Sequence, residues 1–400
     1  MRVPQNRDFR LLWTGGVISG LGSWLLIIAV PVQVFRLTGS PLATGLTVAV
    51  ESLPAMLLGP WAGVLVDHWN RRRIIVGANL ASAAGVGLIL LGDTPARVGF
   101  IWAGLLLEAV AVVLLQPATR SIVPAILGTG DDLVTANAVS AFTGGAMRLI
   151  GPPLGTALLA WGGIGLVAWL DAATYLVAAG LTCLVRVADP PRPALVLREV
   201  PRHLVDGLRH LRRSRLLRGM LAASWVYWAA NAALTALLVP FVVQRLGRDG
   251  GDLGYVIAGL GCGFLVGSAV SGRLIGPYST QAVLTWSYGL VGLAFLLLFN
   301  APTLWVAVLG AAAAGVPGSV AMVATQHRIQ VAAPEEVLGR VGAVFYASDA
   351  TAAVAGALIA PLVVAVSGLS TGLNAVSVLV IAVAPMTLFL LRDPAGAESR

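Results

Sequence analysis

Lysine is absent from this 400-residue chain, and charge of either sign is scarce, at 11% of residues against roughly 25% in soluble domains. So little charge could not cover the surface of a soluble protein of this length. Apolar residues make up 58%, and the mean hydropathy is +0.87. The solvent for most of the chain is therefore lipid. A disordered chain, a coiled coil and a cytosolic enzyme with a membrane tail are all excluded. The two cysteines, Cys183 and Cys262, fall in apolar runs far apart in sequence, and the four histidines form no ligand-spaced pair. Neither a disulfide framework nor a metal site is expected. No run resembles an ATP-binding loop or a nucleophile elbow. The expectation is no enzyme, no cofactor and no metal, with energy drawn from an ion gradient.

What is present is long apolar runs. A span needs about 20 apolar residues, and that ruler marks twelve segments: 11–35, 42–66, 74–92, 98–119, 135–160, 164–185, 217–244, 253–275, 281–299, 303–325, 338–366 and 371–391. All 26 basic residues are Arg, giving a net charge of +8. They sit in short loops, which points to membrane orientation and away from a nucleic-acid partner. With the N-terminus inside, 21 of the 26 Arg fall in inner loops and ends, four in outer loops, and Arg148 within a span. Both termini are thus expected in the cytoplasm of a multi-pass plasma-membrane protein. Residues 1–10 are polar and run into the first span, reading as a cytoplasmic leader and not a cleaved signal peptide.

The one long loop divides the spans six and six. It gives an N-terminal six-helix bundle at 1–186, a cytoplasmic linker at 187–216 and a C-terminal bundle at 217–400. In the linker, Leu197, Leu204, Leu208 and Leu211 recur at near-helical spacing among Arg198, Arg202, Arg209, Arg212 and Arg213. This reads as a basic amphipathic helix on the inner leaflet, with a solvated charged tether as the alternative. The halves repeat weakly. Ala138-Val139 stands 13 residues before Gly151, and Ala343-Val344 stands 13 before Gly356. Arg120 precedes Val123 by three, as Arg328 precedes Val331. Parallel six-helix halves are a transporter signature.

Ionisable residues inside spans are costly and are functional candidates. They are Glu51 in span two, Glu108 in span four, Arg148 in span five, Asp171 in span six and Asp349 in span eleven. Glu51 and Glu108 each lie near the midplane by helix rise. A carboxyl group shielded from water can bind and release protons near neutral pH, so Glu51, Glu108, Arg148 and Asp349 are the proton-coupling candidates. A Glu108–Arg148 pair that only holds helices together is the structural alternative. Asp171, nearer an outer end, reads as a solvated or helix-capping residue. Span seven carries Trp225, Tyr227, Trp228 and Asn231. Trp225, Trp228 and Asn231 are candidates to line a substrate cavity, since aromatic faces stack on planar or cationic molecules; an interfacial aromatic belt is the alternative. Gln326 and His327 are weaker candidates.

The loop after span two reads Gly63-Val-Leu-Val-Asp67-His-Trp-Asn-Arg71-Arg72-Arg73. It matches the G-x-x-x-D-x-x-x-R-R/K signature of the major facilitator superfamily. Asn6-Arg-Asp-Phe-Arg-Leu-Leu-Trp13, Leu37-Thr-Gly-Ser40, Pro117-Ala-Thr-Arg120, Ile150-Gly-Pro-Pro-Leu-Gly155 and Asp206-Gly-Leu-Arg209 resemble the bacterial enterobactin and macrolide exporter group of that superfamily. Gly151, Pro152 and Gly155 also resemble the antiporter motif that exporters carry in span five. The second-half copy of the loop motif, Gly272-Arg273-Leu-Ile-Gly276, has Gly where Asp would stand. The resemblance implies an all-α fold of twelve helices in two pseudo-symmetric bundles, with the linker between them. It implies a monomeric secondary exporter of a small amphiphilic molecule, a drug or secreted metabolite, working by proton antiport and alternating access. Its partners are then the small-molecule substrate, protons and the bilayer. Gly63, Asp67, Arg71, Arg72 and Arg120 become the inner gate. A siderophore exporter, a solute importer of the same fold and a non-transporting membrane sensor or scaffold remain the alternatives.

Overall fold

The computed structural model describes residues 6–128, 131–186, 199–275, 277–332 and 335–390. The chain divides into two compact units, Met1–Val200 and Pro201–Arg400. The described residues form helices and no strand. Only a helix satisfies its own backbone groups in lipid, so apolar sequence of this kind has no other open choice.

The N-terminal unit contains α1 (Arg7–Thr38), α2 (Pro41–His68), α3 (Arg71–Ile89), α4 (Val98–Leu127) and α5 (Asp131–Cys183). The polar residues between apolar runs set the ends. Asn6 Oδ1 accepts from the amides of Asp8 and Phe9 at 3.0 and 3.1 Å and starts α1. Ser40, with Pro41 behind it, starts α2, and Asn70 starts α3 by accepting from Arg73 N. These are the orphan N–H groups of a helix start, met by side-chain oxygens. Among the described residues, eleven helices are long and apolar enough to cross a membrane. At 53 residues α5 is far too long for one crossing, and Gly163 breaks it with φ 67° and ψ −174°. Only glycine adopts that conformation without strain. The break falls between the two predicted spans 135–160 and 164–185, so α5 has the length for two crossings, which makes twelve among the described residues.

The C-terminal unit contains α6 (Glu199–Arg213), α7 (Arg215–Pro240), α8 (Leu253–Ile275), α9 (Thr280–Phe299), α10 (Leu304–Ala332), α11 (Glu335–Ser367) and α12 (Leu369–Leu390). The packing of each unit repeats in the other. In the first, α1 lies along α5, α2 on α4, and α3 on α4 and α5. In the second, α7 lies along α11, α8 on α10, and α9 on α10 and α12. The glycines of the weak sequence repeat mark equivalent contacts. A side chain at Gly151 would run into Trp24 of α1, and one at Gly356 would run into the Ala229 carbonyl of α7.

The linker helix is α6; residues 187–198 of the predicted linker lie outside the described residues. Gly207 and Leu211 are buried on its inward side, while Val205 and Leu208 are exposed. Large apolar side chains also cover the outer faces of both units, among them Trp161, Trp169, Leu309 and Val366, all more than 60% exposed. In water such a surface would be a liability; in lipid it is the solvated face.

Candidate functional site

The N-terminal unit holds its ionisable groups around one hydroxyl. Glu108 lies ten residues into α4, about 15 Å along the helix. Tyr175 on the second half of α5 donates its hydroxyl to Glu108 Oε1 at 2.6 Å. Ser23 of α1 lies 2.9 Å from the same phenol oxygen and donates to the Ser19 carbonyl at 3.0 Å. Three helices thus meet at Tyr175, which is 1% exposed. The distances are those of strong oxygen–oxygen hydrogen bonds. Glycine contacts bring the helices near enough. A side chain at Gly85 of α3 would stand 2.6 Å from the Gly104 carbonyl and 3.2 Å from the Glu108 amide.

Asp171 stands one turn before Tyr175 on the same face of α5. It is wholly buried, and Thr174 Oγ1 donates to its Oδ1 at 3.2 Å. This corrects the expectation of a solvated or capping residue. Asp171 lies eight residues past the Gly163 break, beyond the first turn, and it packs into the space that Gly22 of α1 leaves open. Glu51 occupies an exposed position on α2 but lies within electrostatic reach of Glu108, as does Asp171. The unit therefore gathers three carboxyl groups from three helices. Arg148 belongs to α5, and its side chain lies outside the described residues. Among the described residues no cluster of His, Cys, Asp or Glu has the makings of a metal site.

The loop motif falls at the Arg-rich end of this unit. The side chains of Gly63 and Asp67 lie outside the described residues. Arg71 Nη1 donates to the Ser121 carbonyl of α4 at 3.2 Å. Arg72 donates to the carbonyl of Cys183, the last residue of α5, where a helix end leaves acceptors unmet. Arg120 is exposed, beside the carbonyl that Arg71 holds. The motif arginines thus tie α3 to the ends of α4 and α5. Gly151, Pro152 and Gly155 face α1: Gly151 meets Trp24, and a side chain at Gly155 would stand 2.7 Å from the Leu25 carbonyl.

In the C-terminal unit, Ser224 of α7 donates to Asp349 Oδ1 of α11 at 2.7 Å. One turn on, Tyr227 packs against Trp228 and Tyr288, with ring centroids 5.8 and 5.2 Å apart, and Tyr288 hydrogen-bonds Thr325 of α10. Trp225 points to the other side of α7 and is 38% exposed. Asn231 is half-buried, and Gln326 and His327 are exposed. Sequence spacing thus found the aromatic helix but ranked Trp225 above Ser224 and Tyr227. It also missed Ser23 and Tyr175, single hydroxyls in apolar runs whose partners come from other helices.

The family model described as transmembrane secretion effector matches residues 4–399. The chain belongs to this family, within the major facilitator superfamily. This chain is 29% identical over 361 residues to the enterobactin exporter EntS of Escherichia coli O1:K1, covering 87% of this chain and 83% of that one. It has the same identity and coverage to EntS of Shigella boydii serotype 4. Solved structures share its fold. The nucleoside transporter NupG superposes with a TM-score of 0.76 at 11% identity, covering 97% of this chain and 100% of that one. The human organic anion transporter MFSD10 gives 0.68 at 18% identity, covering 96% and 99%. The chain is a multi-pass membrane transporter of the all-α major facilitator fold.

Proposed function

We propose that this protein is a secondary active exporter that moves a small amphiphilic molecule out of the bacterial cytoplasm in exchange for protons. The observation that carries the proposal is the Glu108 carboxyl, held by the Tyr175 hydroxyl ten residues into α4 and partly buried in an apolar helix bundle. An ionisable group is expensive there, and a carboxyl with a hydrogen-bonded hydroxyl can gain or lose a proton without losing its partner. Glu108 is the proton site, with Glu51 and Asp171 as neighbours whose charge responds to it. Asp349, bonded to Ser224, is the corresponding candidate in the second unit. The chain works as a monomer with both termini cytoplasmic, by alternating access of its two units. The loop motif, with Asp67, Arg71, Arg72 and Arg120, governs closure of the cytoplasmic side.

A siderophore is the favoured substrate class, because the curated relatives bear the name enterobactin exporter. Transport assays in everted membrane vesicles test the proposal. Addition of enterobactin should discharge a preset pH gradient only when this protein is present. Uptake into right-side-out vesicles would instead mark an importer. Binding without any proton movement would mark a sensor.

A further inference from the structure

A pocket of about 330 Å³, open along one side, lies among α1, α3, α4 and the second half of α5, with Gly16, Gln116 and Arg120 exposed on its lining. It starts at the Arg-rich ends of these helices, at Leu12, Arg120 and Thr182, and reaches Ser23 and Tyr175. From Leu12 to Ser23 is about 16 Å of helix rise. Its wall is polar for an interior this apolar, with Ser19, Asn79, Gln116 and Thr119 along its length. Thr119 and Thr182 spend their protons on their own helix carbonyls, which leaves hydroxyl lone pairs for the cavity. Asn79 gives the sharpest sign of a missing partner. It is 2% exposed, its Nδ2 donates to the Ile75 carbonyl at 2.7 Å, and its Oδ1 accepts from no described residue. A polar-walled space of this size has room for several waters. Glu108 does not line it; Tyr175 stands between, touching the cavity on one side and Glu108 on the other.

We propose that this cavity is a water-filled half-channel through which protons reach Glu108 from the Arg-rich side, with the Tyr175 hydroxyl as the last relay. The inference rests on the proton-carrying role of Glu108 proposed above. In the relay, the innermost water donates a proton to Tyr175 Oη as the Tyr175 O–H proton passes to Glu108 Oε1. A hydronium at the mouth makes good the proton the water chain has given up. One proton has then moved, Tyr175 is neutral as before, and Glu108 is neutral. The Glu108–Tyr175 hydrogen bond reverses, while Ser23 keeps its bond to the Ser19 carbonyl. Protonated Glu108 donates to Tyr175, Tyr175 to Ser23, and Ser23 to the Ser19 carbonyl, and every donor has one acceptor. Glu51 and Asp171 are the other ionisable groups facing Glu108; neither lies among the cavity's lining residues.

Gly16 supplies the test. It lines the pocket at an exposed position, and a Cβ there would meet nothing within 4 Å, so Gly16→Leu adds bulk over the pocket without disturbing the backbone. The readout is infrared: the C=O stretch of a protonated carboxyl shifts when the purified full chain is moved into D₂O, and the band lost in Glu108→Gln belongs to Glu108. Its exchange should slow about tenfold in Gly16→Leu and in Tyr175→Phe, with thermal unfolding midpoints near that of the native chain. A second readout is independent of Glu108. On a background lacking Cys183 and Cys262, Asn79→Cys should react with a membrane-impermeant methanethiosulfonate from the Arg-rich side, and Gly16→Leu should protect it. Leu80→Cys, exposed on the opposite side of α3, should not react. Exchange at the native rate in both variants, or an unreactive Asn79→Cys, would overturn the half-channel and leave the proton site standing. No band that disappears in Glu108→Gln, across mildly acidic to mildly alkaline buffers, would overturn both.

Discussion

Asp206 of the linker helix α6 reaches Arg340 near the start of α11, with Oδ2 3.7 Å from Nη1, while its Oδ1 accepts from Arg209 at 2.9 Å. Both pairs are partly exposed, so each contributes at most about 1 kcal/mol. The neighbouring glycine matters more. A side chain at Gly207 would stand 2.7 Å from the Arg340 carbonyl, and backbone cannot move aside as a surface side chain can. The Asp206-Gly-Leu-Arg209 run is thus a docking contact between the linker helix and the C-terminal unit.

Gly207→Leu is therefore expected to lift α6 off α11, and Asp206→Asn to leave it docked. Limited trypsin digestion reads this through cleavage after Arg209, Arg212 and Arg213. Cleavage should be markedly faster in Gly207→Leu and near native in Asp206→Asn.

The α1–α5 contact gives a stability prediction. Gly155→Ala places a methyl 2.7 Å from the Leu25 carbonyl and should cost about 1–3 kcal/mol as overpacking. Gly180→Ala, on an exposed site with nothing within 4 Å, should stabilise its helix by about 0.5–1 kcal/mol. Thermal unfolding of the purified chain in detergent should move in opposite directions for the two. A Gly155→Ala midpoint at or above native would remove the steric role assigned to the antiporter motif.

In the second unit the aromatic residues separate into two kinds. Tyr227→Ala removes a buried ring packed on Trp228 and Tyr288 and should cost about 3–5 kcal/mol. Trp225→Ala removes an exposed ring and should stay within about 1 kcal/mol of native. If Trp225 contacts substrate, its loss shows as weaker enterobactin binding at unchanged stability. Equal unfolding midpoints for the two variants would contradict this division.

The twelve crossings among the described residues were legible in the sequence because a single segment that must satisfy its own backbone groups in lipid is helical, and the length of the apolar runs measures it. The α5 break was legible as the gap after Trp161-Gly-Gly, although the two crossings form one continuous helical run around Gly163. Glu108 could be picked out because charge within a span is rare. Tyr175 could not, since a lone hydroxyl in an apolar run carries no signal until α4 is folded against it, 67 residues away in sequence. Asp171 was misplaced for a related reason. Counting from the span end puts it near water, but its burial comes from α1, which offers Gly22 to it. Spacing along one helix reports depth and face; it does not report what the facing helix leaves empty.

The central claim is that Glu108 carries the exchanged proton, and substrate exchange in everted vesicles tests it most directly. With a preset pH gradient, the native chain should accumulate labelled enterobactin and discharge the gradient. Glu108→Gln should still swap labelled for unlabelled enterobactin across the membrane, since that exchange needs no proton, but should neither accumulate it nor discharge the gradient. A Glu108→Gln variant that accumulates enterobactin uphill and discharges the gradient at the native rate would contradict the account.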